Sequence, residues 1–574
     1  MTSGVVTLDW QQILARRSFL EGDALERASA LLDPDGVRVL CGPFDRLESP
    51  WLEPQGIVPQ ADDGVVIARG NLGGRPAVIA SIEQGFQGGG TGEVSGAKIS
   101  QALRLAADAS RAGTVTAAVL LFETGGVRLQ EANLGLNAVA EICSAVLDLR
   151  PLAPVIGVVA GEVGSFGGMS IAAGLCTRLI ITPQGRIGLN GPAVIEQEAG
   201  IDEFDAGDRA LIWSVDGGEQ RTAIGLADKL VGDDRDLIRA AVLEAVSAGV
   251  PPAGSHRSER IDVLGSRLAS LDLKNAPAPQ DLRRLWGPTF APIDGASPAK
   301  TATSSATMSR GRRWLSALAA TEPVAVIPSV IRADTDDASY IAVVPDPQNP
   351  FHRARNGEVG LTESWALAET IEEVVSADAA VDVKRAVVAV VDLPSQAYGR
   401  IEEMAGLHHA IAAAVDAYHR ARDAGHPTVA IVVGQALSGG FLAHGLQAQQ
   451  ILALDDPGVQ IHAMHKSAAA RITLRTVDEL EKLAETVVPL SYNVRDWAQL
   501  GFCDGLLRVS DADAPTADDI SAVRRAVDAA IAAARSGPRD LSNRLDSPGA
   551  WANRRASRAI RDVMSAQWQG AQRR

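Results

Sequence analysis

Aromatic side chains are scarce in this chain of 574 residues: Phe, Trp and Tyr together make up 4%. The chain is therefore poor in stacking platforms for bases. It also lacks an excess of basic residues. Fifty-four Lys and Arg face 70 Asp and Glu, a net charge of −16. That balance argues against a general nucleic-acid coat or a binder of anionic membranes. A local basic patch for a phosphorylated ligand stays possible. Only four cysteines occur, Cys41, Cys143, Cys176 and Cys503, and none stands in a C-x-x-C pair. A zinc ribbon and a disulfide framework are both disfavoured, and a reducing cytoplasm fits. No uninterrupted apolar run reaches the ~18 residues of a membrane span. The stretch Met1–Trp10 carries Asp9 and no apolar core, unlike a signal peptide.

Familiar catalytic signatures are missing as well. Gln87-Gly-Gly-Gly-Thr-Gly-Glu-Val-Ser-Gly96 fits neither a P-loop nor a clean dinucleotide fingerprint. Gly164-Ser-Phe-Gly167 lacks the spacing of a nucleophile elbow. Eight of the nine histidines lie in the second half, with no metal-binding pattern among them. His256 is alone in the first half, so a serine hydrolase is weakly supported, and no metal is expected.

What is present is glycine, 55 residues of it, in a chain that is 46% hydrophobic and 22% charged. This is an ordinary globular balance. Residues 275–310 break all periodicity with a run of Pro, Ala, Ser and Thr, which is linker composition. The sequence then restarts at Met308, as if two polypeptides had been fused. The expected division is 1–274, a linker 275–310, and 311–574.

Both halves alternate buried-strand candidates with helices. The first has strands at Ala117–Phe122 and Pro154–Val159 around a helix of about Leu129–Leu149. The second has Ala386–Val391 and Thr428–Val433 around a helix of about Ile401–Ala424. Such runs bounded by Gly and Pro predict an α/β fold with a buried sheet in each half. A Gly pair follows an arginine by 39 residues in both: Arg128 to Gly167-Gly168, and Arg400 to Gly439-Gly440. The matched spacing reads as an ancient duplication.

A strand that ends in Gly-Gly and enters a helix exposes amides with no intrahelical acceptor, at the positive end of the dipole. Two such turns can aim two N–H groups at one oxygen, and glycine permits the close approach. One oxyanion hole per half is predicted. Gly125 or Gly126 would pair with Gly167 or Gly168, and Ser395 or Gln396 with Gly439 or Gly440. Tyr398 sits in the turn beside the second hole, where it could orient a substrate or cap the turn. His444, in the helix behind that hole, is either packed or a proton donor, the former favoured on its own. Glu131, Glu196, Glu402 and Glu403 are general-base candidates by type only. Glu402 and Glu403 open a helix, where the dipole alone accounts for them. The basic tail from Ala550, with Arg554, Arg555, Arg558, Arg561, Arg573 and Arg574, reads as a solvated helix rather than a docking site for an acidic carrier.

Four first-half motifs resemble the beta subunit of malonate decarboxylase, in the carboxyltransferase branch of the crotonase superfamily. They are Gly88–Gly96, Thr124-Gly-Gly-Val-Arg-Leu-Gln-Glu131, Gly161-Glu-Val-Gly-Ser-Phe-Gly-Gly168 and Gly191-Pro-Ala-Val-Ile-Glu-Gln197. The second half resembles the gamma subunit through Asp392-Leu-Pro-Ser-Gln-Ala-Tyr-Gly-Arg-Ile-Glu-Glu403, Gly434–His444 and Val459-Gln-Ile-His-Ala-Met-His465. The likeness spans about Ser18–Val250 and Gly311–Leu507.

The resemblance implies two crotonase-like ββα-superhelix domains, with the malonyl thioester bound by the first and the active site between them. It implies decarboxylation of malonyl-S-acyl carrier protein to the acetyl form and CO2. A coenzyme-A-like arm on the carrier would contact Gly88, Gly89, Gly90 and Arg128. No cofactor is expected to be bound covalently to this chain. The carrier protein and the transferase that loads it are implied partners, a homo-oligomer is expected, and neither nucleic acid nor membrane is. Ser395-Gln396 stands where biotin-using relatives have a smaller pair of the Gly-Ala type. No Ala-Met-Lys-Met attachment motif exists, and His462-Ala-Met-His-Lys466 is only an echo of one. Direct decarboxylation is thus favoured over two alternatives, a biotin-dependent carboxyltransferase and a non-catalytic scaffold that binds carrier protein.

Overall fold

A computed structural model describes residues 10–298 and 307–570. Each half is built on a sheet of the same plan. In the first, β1 (Arg38–Leu40), β2 (Val65–Leu72), β3 (Arg75–Ile82), β4 (Ala117–Phe122), β5 (Val155–Val159), β6 (Arg178–Ile181) and β7 (Lys229–Leu230) lie side by side in chain order. The first three are antiparallel, and β3 to β7 are parallel. The second sheet repeats this with β8 (Val324–Ile327), β9 (Val330–Asp334), β10 (Ala338–Val343), β11 (Ala386–Leu393), β12 (Thr428–Leu437), β13 (Gln450–Leu454) and β15 (Gly505–Leu507). A short extra strand, β14 (Gln460–His462), pairs with the end of β12. The mixed α/β class and the duplication expected from sequence are both met.

The central strands are apolar throughout because helices cover both of their faces. β4 reads Ala-Ala-Val-Leu-Leu-Phe with every residue buried, and β11 is buried at seven of its eight positions. The predicted helix at 129–149 is a 3₁₀ turn, Leu129–Glu131, running into the helix Ala132–Leu149. It is long and apolar enough to cross a bilayer, but 94% of its apolar window is buried within the fold, so it is a core helix. The predicted helix at 401–424 is two, Arg400–Ala405 and Leu407–Asp423. Gly406 separates them at φ +91, which breaks the helical path. Part of the expected linker is ordered. The helix Pro279–Trp286 buries Leu282 and Trp286, whereas residues 299–306 of that segment lie outside the described residues.

One hydrophobic core runs through both halves. The helix Gly168–Leu175 packs on Leu407–Asp423 so closely that a Cβ at Gly174 would lie 3.1 Å from Ala412 Cβ. Arg150 pairs with Asp416 across the junction at 2.8 Å, and Asn133 Nδ2 donates to Ser491 O at 2.8 Å. The C-terminal helix Arg555–Gln569 is not a solvated basic helix. It lies against the first-half helix Glu93–Arg111, and Arg38 and Arg69 donate to the Gln567 and Trp568 carbonyls at its end. Arg554 and Arg561 both grip Glu141, a buried residue of the helix Ala132–Leu149. Arg573 and Arg574 lie outside the described residues.

Burial opposes ionisation of Glu141, yet Arg561, Arg554 and Arg104 outweigh it and hold the carboxyl far below its ordinary range. Its contribution to stability is present at neutral pH and is lost as the pH falls through that low value. Glu141→Ala strands two buried guanidinium groups, a change that costs about 3–5 kcal/mol. The expected result is a lower Tm and faster protease release of the C-terminal helix. An unchanged melting profile would show that the clasp contributes nothing.

Candidate active site

Glycine decides the shape of the first site. After β4 the chain turns through Thr124-Gly-Gly-Val127, and after β5 it turns through Ser165-Phe-Gly167 into the helix Gly168–Leu175. The two turns are laced together by Thr124 N to Gly164 O (2.8 Å) and Phe166 N to Thr124 O (3.0 Å). Gly126 at φ +114 and Gly167 at φ +58 touch back to back. A Cβ on Gly167 would lie 3.0 Å from Gly126 Cα, so neither position tolerates a side chain.

Three of the four amides predicted for the first hole are already used. Gly125 N donates to Gly88 O at 3.0 Å, Gly126 N to Thr124 Oγ1 at 3.0 Å, and Gly167 N to Leu189 O at 2.8 Å. Gly168 N, the first of its helix, and Val127 N are the two amides of these turns with no acceptor among the described residues. Both residues line one cavity. The amides left free at the cavity are therefore those of Val127 and Gly168. Gly125, Gly126 and Gly167 shape the turns that present them.

The second half repeats this geometry, and the repeat fixes the equivalence. Val127 bridges Thr91 as Gln396 bridges Val359. Thr91 N donates to Gly126 O and Arg128 N to Thr91 O, while Val359 N donates to Ser395 O and Ala397 N to Val359 O. Gly167, just before its helix, and Ser438, the first residue of the helix Ser438–Ala443, both sit at φ +58. Gly168 thus corresponds to Gly439, and Val127 to Gln396. The equal spacing of 39 compared Arg128 with Arg400, yet the structural counterpart of Arg128 is Ala397. The duplication is real, but that arithmetic was a coincidence. Gly440 lies one residue further into the helix, where a Cβ would strike Ser395 O at 2.6 Å.

In the second half the equivalent helix-start amide is taken by the chain itself. Gly439 N donates to Gln396 Oε1 at 2.8 Å, and Gln396 Nε2 donates to Asn190 Oδ1 at 2.7 Å. Asn190 Nδ2 donates in turn to Ala397 O and Glu403 Oε1, both at 2.9 Å. Ser395 contributes its hydroxyl only to the Gln396 carbonyl, at 2.7 Å.

The cavity between the halves has a volume of about 400 Å³. Leu129, Leu136, Leu189, Val194, Leu442 and Met464 give it an apolar wall, and Gln87, Asn190, Gln396 and Ser438 are among its polar groups. Its one charged lining residue is Arg128, whose Nη1 is 2.7 Å from both Asp63 and Glu131. That buried guanidinium is thus paired with two carboxylates of the chain itself. Gly88 and Gly90 line the mouth. Gly89 packs behind them, where a Cβ would fall 2.0 Å from Glu123 O.

The remaining sequence candidates separate cleanly. His444 does not reach the cavity. Its ring is buried, with Nδ1 2.8 Å from Tyr418 Oη and Nε2 3.1 Å from Ile341 O, and burial lowers its pKa to about 4. The structure places it in packing, away from the cavity lining. The Tyr398 phenol is buried among Ser395, Gln396 and Ser438 without a well-formed hydrogen bond, and burial raises its pKa. Glu131 is buried against Arg128 and Ser49, and Glu196 accepts from Ala206 N at 2.7 Å. Glu402 is buried, which pushes its carboxyl up to about 7.

Glu403 is the residue whose importance the sequence hid. It accepts from Leu189 N at 2.9 Å and from Asn190 N at 2.7 Å, holding a first-half loop that walls the cavity. Burial raises its pKa, and the neighbouring Asp216 carboxylate adds to the effect. Arg221 closes the group by donating to the Glu403 and Met404 carbonyls and pairing with Asp216 at 2.9 Å. A helix-dipole reading could not reveal a partner more than two hundred residues away.

Twin sheets, crossing turns and two free amides at an interlobe cavity make up a carboxyltransferase fold of the crotonase-like class. The carboxyl transferase domain model matches residues 24–245, and the malonate decarboxylase gamma subunit model matches residues 354–568. The malonyl-S-ACP:biotin-protein carboxyltransferase MADC of Malonomonas rubra is 42% identical over 230 residues, which cover 38% of this chain and 72% of that protein. MADD of the same organism, also named a malonyl-S-ACP:biotin-protein carboxyltransferase, is 35% identical over 158 residues, 27% of this chain and 54% of that protein. A chain of a Pseudomonas malonate decarboxylase hetero-tetramer solved with malonate is 57% identical, covering 48% of this chain and 99% of its own length, at a TM-score of 0.47. The chain belongs to the malonate decarboxylase family and carries both carboxyltransferase-like parts in one polypeptide.

Because His444 is neutral when folded, the unfolded state takes up its proton first as the pH drops below about 6.5. Its contribution to stability is therefore lost between that value and about 4. His444→Asn leaves the Tyr418 hydroxyl without its partner and should destabilise by about 1–3 kcal/mol. The deficit should be largest at neutral pH and shrink on acidification, with kcat of the folded variant within about threefold of wild type. Denaturant titrations across this pH range and a turnover assay check it. A collapse of kcat with normal stability would return His444 to the reaction.

Proposed function

We propose that this chain decarboxylates malonyl-S-acyl carrier protein to acetyl-S-acyl carrier protein and CO2, as the catalytic component of a malonate decarboxylase complex. The observation that carries this reading is the pair of unpaired amides, Val127 and Gly168, facing an apolar cavity between the halves. The division 1–274, 275–310 and 311–574 goes with it, the first part holding the thioester. The carrier's coenzyme-A-like arm would enter past Gly88 and Gly90. A separate transferase would load the carrier, a homo-oligomer is expected, and the four free thiols suit a reducing cytoplasm.

The chemistry follows from where charge moves. The C–C bond to the carboxylate breaks, and its electron pair flows into the thioester to give an enolate. Negative charge leaves the carboxylate and collects on the thioester oxygen. The two amides donate to that oxygen, and each such donor is worth about 2.7–4 kcal/mol in the transition state. At the other end no free cation holds the carboxylate, because Arg128 is saturated by Asp63 and Glu131. An apolar wall disfavours the anion that must vanish and suits neutral CO2. The cavity lining holds no side chain that gives up a proton near neutral pH, so water protonates the enolate carbon. The biotin-independent form of the reaction is favoured, since none of these steps needs an acceptor for CO2.

Val127→Pro deletes one amide while keeping a side chain of similar bulk at a position that already carries a Cβ. Gly126→Pro is a poorer test, because φ +114 is closed to proline. CO2 release from malonyl-S-acyl carrier protein should fall by about 10²–10³, with the circular dichroism spectrum and Tm retained. Wild-type turnover in the folded variant would remove the first hole from the mechanism.

A further inference from the structure

The two halves present equivalent pairs of amides, and only one pair is open. Among the described residues of the first half Val127 N and Gly168 N lack acceptors. In the second, Gln396 N lacks one, but Gly439 N is taken by the Gln396 carboxamide oxygen at 2.8 Å. The contact is built rather than incidental. Gln396 is only 6% exposed. Its Nε2 is held by Asn190 Oδ1 at 2.7 Å, and Asn190 is held by Ala397 O and Glu403. The orientation of the carboxamide is also settled, because Gly439 N–H needs an acceptor and Asn190 Oδ1 needs a donor. Gly439 has no Cβ, and one built there would sit 3.1 Å from Gln396 Oε1. Ser438 spends a left-handed φ of +58 to present this turn and is anchored by its Oγ to Ala463 O at 2.8 Å.

A carboxamide C=O is a close chemical copy of a ureido C=O. We infer that the Gln396 side chain is an internal occupant of the second oxyanion hole, and that it decides whether CO2 leaves or is transferred to biotin. The inference rests on the decarboxylase reading above. In transfer, the malonyl C–C bond breaks to give the acetyl enolate and CO2. The biotin ureido nitrogen loses its proton to the enolate carbon and forms a new N–C bond to CO2. Malonyl thioester and biotin thus become acetyl thioester and carboxybiotin, with no other reactant. Negative charge builds on the ureido oxygen as its nitrogen gives up the proton, and that oxygen needs the very amide that Gln396 holds. With Gln396 in place the amide is occupied, and CO2 has no acceptor.

The test supplies malonyl-S-acyl carrier protein and free biotin to the full chain and measures CO2 and carboxybiotin together. Gln396→Ala and Gln396→Ser shorten the side chain and free Gly439 N, and either one suffices should the other be unstable. Gln396→Met fills the same space without a carbonyl and keeps the hole sterically closed. Wild type and Gln396→Met should yield CO2 with carboxybiotin at the enzyme-free background. The Ala and Ser variants should raise carboxybiotin at least tenfold per CO2 released. Carboxybiotin from wild type at the level of the variants would overturn the inference, as would folded, CO2-releasing Ala and Ser variants that make none. Failure of wild type to release CO2 would instead count against the decarboxylase reading.

Discussion

A backbone amide without an acceptor in the protein is a debt that folded chains seldom leave standing. This one holds Val127 N and Gly168 N unsatisfied at the wall of an interlobe cavity. Much of the surrounding structure maintains that condition. Gly126 and Gly167 must be glycine so that two turns can press together. Neighbouring amides are consumed locally, by Gly88 O, Thr124 Oγ1 and Leu189 O, which leaves the right two exposed. The Leu189–Asn190 loop is pinned from the opposite half by Glu403, and Glu403 by the Arg221–Asp216 pair. In the proposed reaction an oxygen that acquires charge would satisfy both amides at once, so affinity would rise only as the reaction proceeds.

Duplication explains how two lobes came to offer similar turns, and divergence explains why they no longer do the same thing. The hydrogen bonds around Thr91 and Val359 match bond for bond. At the position where the first half has Val127 the second has Gln396, and its longer polar side chain folds back onto its own hole. Val127 has no polar atom with which to do this. One residue type at one turn thus separates an open anion site from a closed one on the same scaffold.

The sequence revealed what local periodicity and turn chemistry control. Ala117–Phe122 was legible to the residue because a strand buried on both faces is apolar at every position. The turns carrying the holes were legible through their glycines. Which amide stays free was not, because glycine marks the residue with unusual dihedrals, and the exposed N–H belongs to the residue after it. That offset moves the free amide from Gly126 to Val127. The fold-back of Gln396 and the reach of Glu403 across the chain were hidden for a related reason: both depend on partners brought close only by the folded topology. Arg128 was expected, from the resemblance, to contact a coenzyme-A-like arm, and its pairing with the buried Asp63 could be seen only in the fold.

The helix Arg555–Gln569, which runs from the second lobe onto the first, has a consequence for how such an enzyme behaves on dilution. Where paired lobes are separate polypeptides, a shared crevice exists only while the two remain associated, and its occupancy falls with concentration. Here the partner lobe is covalently present, so its effective concentration is fixed by the tether rather than by expression level. Pairing of the two lobes should then be insensitive to how little protein a cell makes, and the two can never be out of balance.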